Sequence, residues 1–225
     1  MSKRIKLSDR KLPDYTRGEE IMNMVTHIAG GAFGIVVLVL CVVRAAIHGS
    51  AIDVTGAAIY GGSMVALYTM SSVYHGLPIS TGKKVLQVID HCTIYLLIAG
   101  TYTPLALSSI RPIYPTLGWG LFLFEWCLAV VAITLTAIDL KKYRVFSMVC
   151  YIGMGWTVLP FYRQVVAAIG RGGFLLLLSG GICYTVGAIL YGIGVKRRWM
   201  HSVFHIFVVI GSLLQFFAVI LYALP

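Results

Sequence analysis

Charge is what this 225-residue chain has least of. Only 12% of its residues are Asp, Glu, Lys or Arg, against about 25% in a soluble domain. Carboxylates are the scarcer sign, 8 against 18 basic residues. The five cysteines, Cys41, Cys92, Cys127, Cys150 and Cys183, are scattered through apolar stretches. They show neither CxxC pairs nor framework spacing, which excludes a disulfide scaffold and reads them as small packing residues. No internal repeat, low-complexity tract or Pro/Ser-rich linker interrupts the chain. The opening MSKRIKLSDRKLPDYTRGEE lacks an apolar core with a cleavage site, so no signal peptide is expected. What fills the chain is apolar: 59% of residues, with a mean hydropathy of +0.87. Disordered segments are poor in such residues, and a globule this small cannot hide so many from water. The solvent for most of the chain is lipid.

Apolar runs are expected at about 22–47, 54–75, 85–109, 116–138, 145–162, 173–195 and 199–224. Each is close to the ~20 residues that cross a bilayer core as a helix. Barrel strands would be about half as long and alternate in polarity. The reading is an all-α integral membrane protein, a seven-transmembrane helix bundle in residues 22–225 behind a basic cytoplasmic tail in residues 1–21. Breaks fall at HGSAID, LPISTGKK, IRPIYP, DLKKYR, RQVVAAIGRGG and VKRRW. With the N-terminus inside, fourteen Lys and Arg lie on the cytoplasmic side and four (Arg44, Arg111, Arg163 and Arg171) on the other. This asymmetry puts the N-terminus in the cytoplasm and the C-terminus outside. The net charge of +10 follows from these clusters. No basic stripe interleaved with aromatics is present, so no nucleic-acid partner is expected.

Ionisable groups inside spans are costly and mark functional positions. With this orientation His27, His75, Asp90, His91, His201 and His205 all come to the cytoplasmic ends of their helices, on four different spans. The doublet HSVFH (201–205) places two imidazoles on one helix face, the spacing with which two His share a metal. Two interfacial His bonded to neighbours are the plainer alternative. Ser71 stands one turn before His75 on the same face, although a Ser in such a helix often only bonds the backbone one turn back. Asp90 needs a metal, a cation or donors around it. His91 points about 100° away from it and takes a supporting role, as does His27, which shares a stripe with Asn23, Gly30 and Gly34. Three His and a water in tetrahedral array form a catalytic zinc arrangement, with a carboxylate to orient the water or take its proton. His48 falls in an outer connection, and Glu125, isolated in the fourth span, has no assigned role.

The segments EEIMNMVTHIAG (19–30), SSVYH (71–75), DHCTIYLLIAGTYTP (90–104) and HSVFH (201–205) together resemble the haemolysin III family. That family is the bacterial branch of the progestin and adiponectin receptor (PAQR) family. Each segment is weak alone; the ordered set is specific. The resemblance implies seven spans with a cytoplasmic N-terminus. It also implies a zinc ion, Zn2+, held by His75, His201 and His205, with Asp90 near the zinc-bound water and Ser71 beside the first His. It implies a multi-pass protein of the bacterial inner membrane. Ceramidase-like amide hydrolysis in some eukaryotic relatives implies a membrane lipid as substrate or ligand. The expected function is a zinc-dependent hydrolase of a lipid amide or ester in membrane lipid homeostasis. The alternatives are a non-enzymatic membrane-state regulator with structural zinc, a pore-forming cytolysin, and b-type haem electron transfer. No rings of charge suggest a pore, and an i, i+4 doublet cannot ligate opposite sides of a haem iron. The chain lacks the long N-terminal domain of the adiponectin receptors, which argues against hormone binding.

Overall fold

A computed structural model describes residues 7–194 and 197–225. Lys3, Arg4, Lys6 and Lys196 of the cytoplasmic basic count, and the last residue of the expected run 173–195, lie outside the described residues. Every element among those described is helical: α1 (Arg17–His48), α2 (Ala51–Gly76), α3 (Thr81–Pro104), α4 (Pro115–Ile138), α5 (Arg144–Gly155), α6 (Tyr162–Gly194) and α7 (Met200–Ala218). Short wider turns extend α3 through Ile110 and α7 through Ala223. The all-α expectation is borne out.

Helix ends follow local chemistry. Thr16 and Glu19 form a capping box, with the Thr16 N–H donating to Glu19 Oε2 at 2.8 Å and the Glu19 N–H to Thr16 Oγ1 at 3.2 Å. Reciprocal capping satisfies two of the N–H groups a helix start leaves free. It starts α1 at Arg17, ahead of the apolar run expected from residue 22. The α1–α2 turn is closed the same way, both Ser50 N–H and Oγ–H donating to Asp53 Oδ2 at 2.7 Å. Pro104 has no N–H to give its helix, and the turn loosens just after it, Arg111 N–H reaching back to the Ala106 carbonyl at 2.9 Å.

α1 reads inside out compared with a helix in water. Its buried residues are Glu19, Asn23, His27, Gly30, Gly34, Val37, Cys41 and Ala45, one stripe of three- and four-residue steps. Large apolar side chains such as Ile28, Ile35, Val39 and Val43 are exposed on its other side. Lipid covers those, and the polar and small residues turn to the bundle. Five stretches are long and apolar enough to cross a membrane: Arg17–His48, Thr81–Ile110, Pro115–Ile138, Arg144–Gly194 and Met200–Ala223. α2 falls short of that apolarity because it is an interior helix. It buries Tyr60, Ser63, Tyr68, Ser71, Tyr74 and His75 along with Gly56, Ala57 and Gly61, packed against α1, α3 and α7.

The stretch from Arg144 to Gly194 differs from the expected pair of apolar runs. Helix α5 has only 12 residues, and the expected outer break RQVVAAIGRGG shrinks to one residue. Gly170 (φ 68°, ψ 171°) interrupts α6 in a conformation essentially restricted to glycine. Helix continues up to it because Val165 and Ile169, which looked like loop, are buried core residues.

Glycine sets how closely α1 and α2 approach. A Cβ on Gly61 would collide with the Leu38 backbone, whereas one on Gly62 would meet nothing within 4 Å. Gly61→Ala is therefore expected to destabilise the protein by about 1–3 kcal/mol, the cost of overpacking. Gly62→Ala is expected to be neutral or stabilising by up to about 1 kcal/mol through helix propensity. Thermal unfolding of the two variants in the same detergent checks the pair; equal melting temperatures would mean the helices separate freely.

Candidate metal centre and its cavity

The N-terminal turns of α1 and α7 and the C-terminal turn of α2 meet at one end of the bundle. His75, His201 and His205 each bring a ring nitrogen to within 4.8 Å of the others, a group that could hold a metal ion. The Nε2 atoms of His201 and His75 are 3.4 Å apart, and those of His201 and His205 3.1 Å. His75 and His205 are buried and His201 partly so.

The neighbours determine which nitrogen each ring presents. Glu20 Oε2 lies 2.6 Å from His75 Nδ1; a carboxylate can only accept, so that nitrogen carries the proton and Nε2 keeps its lone pair. The Asn23 carbonyl lies 3.2 Å from His205 Nδ1 and imposes the same tautomer. Two Nε2 lone pairs thus face His201 Nε2 across van der Waals distances, which is repulsive unless a cation or a proton stands between them. His201 Nδ1 has no partner among the described residues. The donor set and its convergence fit a metal ion, and a bond from the outer ring nitrogen to a carboxylate or carbonyl is the usual way a metal-binding His is oriented.

Glu20 is itself held. Its Oε1 pairs with Lys83 Nζ at 2.7 Å, and the same ammonium donates to the carbonyls of Leu77 at 2.9 Å and His75 at 3.4 Å. Lysine this buried (3% exposed) is tolerated because each donor has an acceptor. On the other side Ser202 Oγ–H donates to Asn23 Oδ1 at 2.6 Å. The doublet's helix starts at Trp199, whose left-handed φ of 66° is held by its N–H bond to Glu19 Oε1 at 2.7 Å.

Supporting residues sort as follows. His27 stacks on His205, ring centroids 3.7 Å apart at 11°, with neither ring nitrogen hydrogen-bonded among the described residues; it packs against the ligand set. His91 turns toward α6, its Nδ1–H donating to the Gln87 carbonyl at 2.7 Å and its Nε2 lying 3.4 Å from the Tyr191 hydroxyl. Asp90, Ser71 and His91 share the wall of one cavity with His201 and His205. Glu125 is fully buried on α4, away from the triad.

Two participants escaped the sequence reading. Glu20 lies within the segment 19–30 but was given no role there. Tyr15 precedes the first helix, and no pattern marks it. Its ring stacks on His201 at 5.0 Å and 19° and lies 5.8 Å from that of His75. Burial, reinforced by Tyr191 and Glu20, holds its phenol far above the usual range, so it stays neutral over the imidazoles. The cavity has a volume of about 860 Å³, within the range of small-molecule sites. It runs from Asp90 and His201 to Leu105 and Gln215, about 21–23 Å at 1.5 Å per helical residue, and its deep arm is mainly apolar.

If Glu20 orients His75, Glu20→Gln is expected to weaken divalent-metal binding by about 10–100-fold. His91→Ala should keep most of the metal, and the double variant His201→Ala/His205→Ala should lose it. Equilibrium dialysis of detergent-purified protein with elemental analysis measures all three. Retention by the double variant would show that the triad is not a metal centre.

The sequence as a whole is similar to known proteins. The family described as haemolysin-III related matches residues 15–216. The chain is 38% identical over 207 residues to hemolysin-3 of Bacillus cereus, covering 92% of this chain and 93% of that protein. It is 39% identical over 208 residues to the hemolysin-3 homolog of Bacillus subtilis (strain 168), covering 92% and 96%. The human monocyte to macrophage differentiation factor is 26% identical over 169 residues, 72% of this chain and 67% of that protein. With several apolar helices, a match over nearly all its length and relatives in Bacillus, the chain is a protein of the bacterial cell membrane and belongs to the haemolysin-III-related family.

Proposed function

We propose that the protein is a zinc-dependent hydrolase of a membrane lipid amide or ester. The observation that carries this reading is three convergent imidazoles, two of which, His201 and His205, line a mainly apolar cavity about 860 Å³ in volume. The fit to zinc is supported by spacing. A tetrahedral ion with zinc–nitrogen bonds of about 2.0–2.1 Å has nitrogen–nitrogen edges of about 3.3 Å, close to the 3.1 and 3.4 Å separations here. Bound zinc would supply Lewis acidity and a water acidic enough to ionise near neutral pH. His75, His201 and His205 would hold it, while Glu20 and the Asn23 carbonyl keep two of the rings in the binding tautomer.

Asp90 is the proposed base. It takes a proton from the attacking water as the acyl carbon–heteroatom bond opens, and returns it to the leaving amine or alcohol. The products are a carboxylic acid and that amine or alcohol. Ser71 donates a hydrogen bond to the carbonyl oxygen or positions the water. His27, with Asn23, backs His205, and His91 steadies the cavity wall through Tyr191. The acyl chain occupies the apolar arm.

The same reading includes seven crossings, with the N-terminus in the cytoplasm, the C-terminus outside and the zinc site at cytoplasmic depth. It treats α2 as a crossing shielded from lipid and Arg144–Gly194 as two, because 51 residues of helix at 1.5 Å each would be about 76 Å long, more than twice a bilayer core. A reporter fused after Pro225 is then expected outside, and one inserted at 141–144 inside. Both on one side would sink the seven-span arrangement.

For the chemistry, Asp90→Asn keeps shape but cannot take the proton. The folded, zinc-loaded variant is expected to lose about 10²–10⁴-fold in lipid hydrolysis, and Ser71→Ala about 10²–10³-fold. Mass spectrometry of lipids before and after incubation reads both. If Asp90→Asn equals wild type in hydrolysis and complementation, a zinc that only ties α2 to α7 in a membrane-state regulator replaces the hydrolase.

A further inference from the structure

Three segments distant in sequence, each at a helix end, bring basic residues to the lining of this one cavity. They are Arg10 and Lys11 before α1, Lys141 and Arg144 between α4 and α5, and Arg197 and Arg198 before α7. Most carboxylates nearby are already engaged. Asp14 Oδ2 pairs with Arg198 at 3.2 Å and Glu19 Oε2 with the same guanidinium at 3.3 Å. Asp139 Oδ1 accepts the N–H groups of Lys141 and Lys142, both at 3.1 Å, and Asp9 is also partnered. Arg10, Lys11, Lys141, Arg144 and Arg197 are left without an ion pair among the described residues. Arg10 adds a second observation: its Nη1 is shielded from water yet has no acceptor there. A desolvated guanidinium nitrogen without an acceptor is costly and calls for an explanation.

Interfacial Lys and Arg alone would follow from membrane orientation. Orientation does not explain their gathering, from three segments, around the opening of one cavity whose other end is apolar. Asp90 and Asp139 also line the cavity, but the cations outnumber the carboxylates. A mouth with cations in excess above a low-dielectric slot favours anions, and the guanidinium fork matches phosphate oxygens. We propose that this mouth binds the phosphate of an anionic lipid headgroup while the lipid's acyl chain lies in the apolar arm. The site deepens the hydrolase reading and rests on it for one point only, that the bond to be cleaved lies beside the triad, between head and chain. Binding of the headgroup requires no turnover.

The test uses the full chain in phosphatidylcholine nanodiscs and two probes sharing one chain, 1-oleoyl lysophosphatidate and 1-oleoylglycerol, each competing against a fluorescent lysophosphatidate. The phosphate-bearing probe is expected to bind at least about tenfold more tightly. Arg10→Gln with Arg144→Gln should cut that advantage by about tenfold, the worth of one charge-assisted hydrogen bond. The double variant should leave 1-oleoylglycerol affinity unchanged, which also reports an intact fold. Arg163→Gln with Arg171→Gln should change neither probe. Equal affinities in the wild type, or an advantage untouched in the Arg10/Arg144 variant, would overturn the proposal. Displacement by inorganic phosphate at the concentrations where lysophosphatidate competes would overturn it too, making the mouth a free-anion site. A phosphate preference without detectable hydrolysis would sink the hydrolase and leave the headgroup site standing. Hydrolysis without the preference would do the reverse.

Discussion

The 2.6 Å bond between Glu20 on α1 and His75 on α2 is the contact on which the site depends. A carboxylate, an imidazole and the Lys83 ammonium are brought together where water is scarce, and none could stand there alone. Removing one partner from a buried charged pair costs about 3–5 kcal/mol, less here because Glu20 is 21% exposed on its side chain. The same cluster takes up the Leu77 and His75 carbonyls at the end of α2, which would otherwise lack donors. Three helices are thereby pinned at one end, and Asn23 adds the fourth through Ser202 and His205.

From that constraint follows the inverted organisation of the bundle. In water, apolar contact selects which helix faces meet; in lipid every apolar face is already satisfied, and small residues and polar bonds select instead. Gly30 and Gly34 let α1 lie close to Tyr68 and Met64. Tyr68 in turn reaches Ser212 on α7 at 2.7 Å, and Tyr184 on α6 reaches the same hydroxyl at 2.9 Å. This hydroxyl network ties α2, α6 and α7 together beneath the histidines. The cavity opens beside it, where α3, α5 and α6 stand apart enough to leave room for a chain.

The candidate ligands were legible because their signal is local or arithmetical. An i, i+4 His doublet lies on one face of any helix, and His75 and Asp90 stand out as ionisable groups within or at the ends of apolar runs. Their partners were not. Tyr15 meets His201 from 186 positions away in the chain, and Trp199 adopts its left-handed backbone only because Glu19 receives its N–H. The outer connection around Gly170 also misled, since Val165 and Ile169 count as core only when their neighbours are known.

Lipid as solvent, helix as the element, the breaks between most apolar runs and the set of histidines were determined by sequence, because each depends on composition and on spacing along a chain of known rise. Which nitrogen each imidazole presents, which acid holds it, and whether the space beside it is filled or hollow were decided only by tertiary structure. The physical reason is rotation. A membrane helix whose lipid-facing and protein-facing sides are both largely apolar carries little in its own pattern to say how it turns about its axis. That angle is set by the few polar bonds it makes with its neighbours, and those bonds exist only once the bundle has closed.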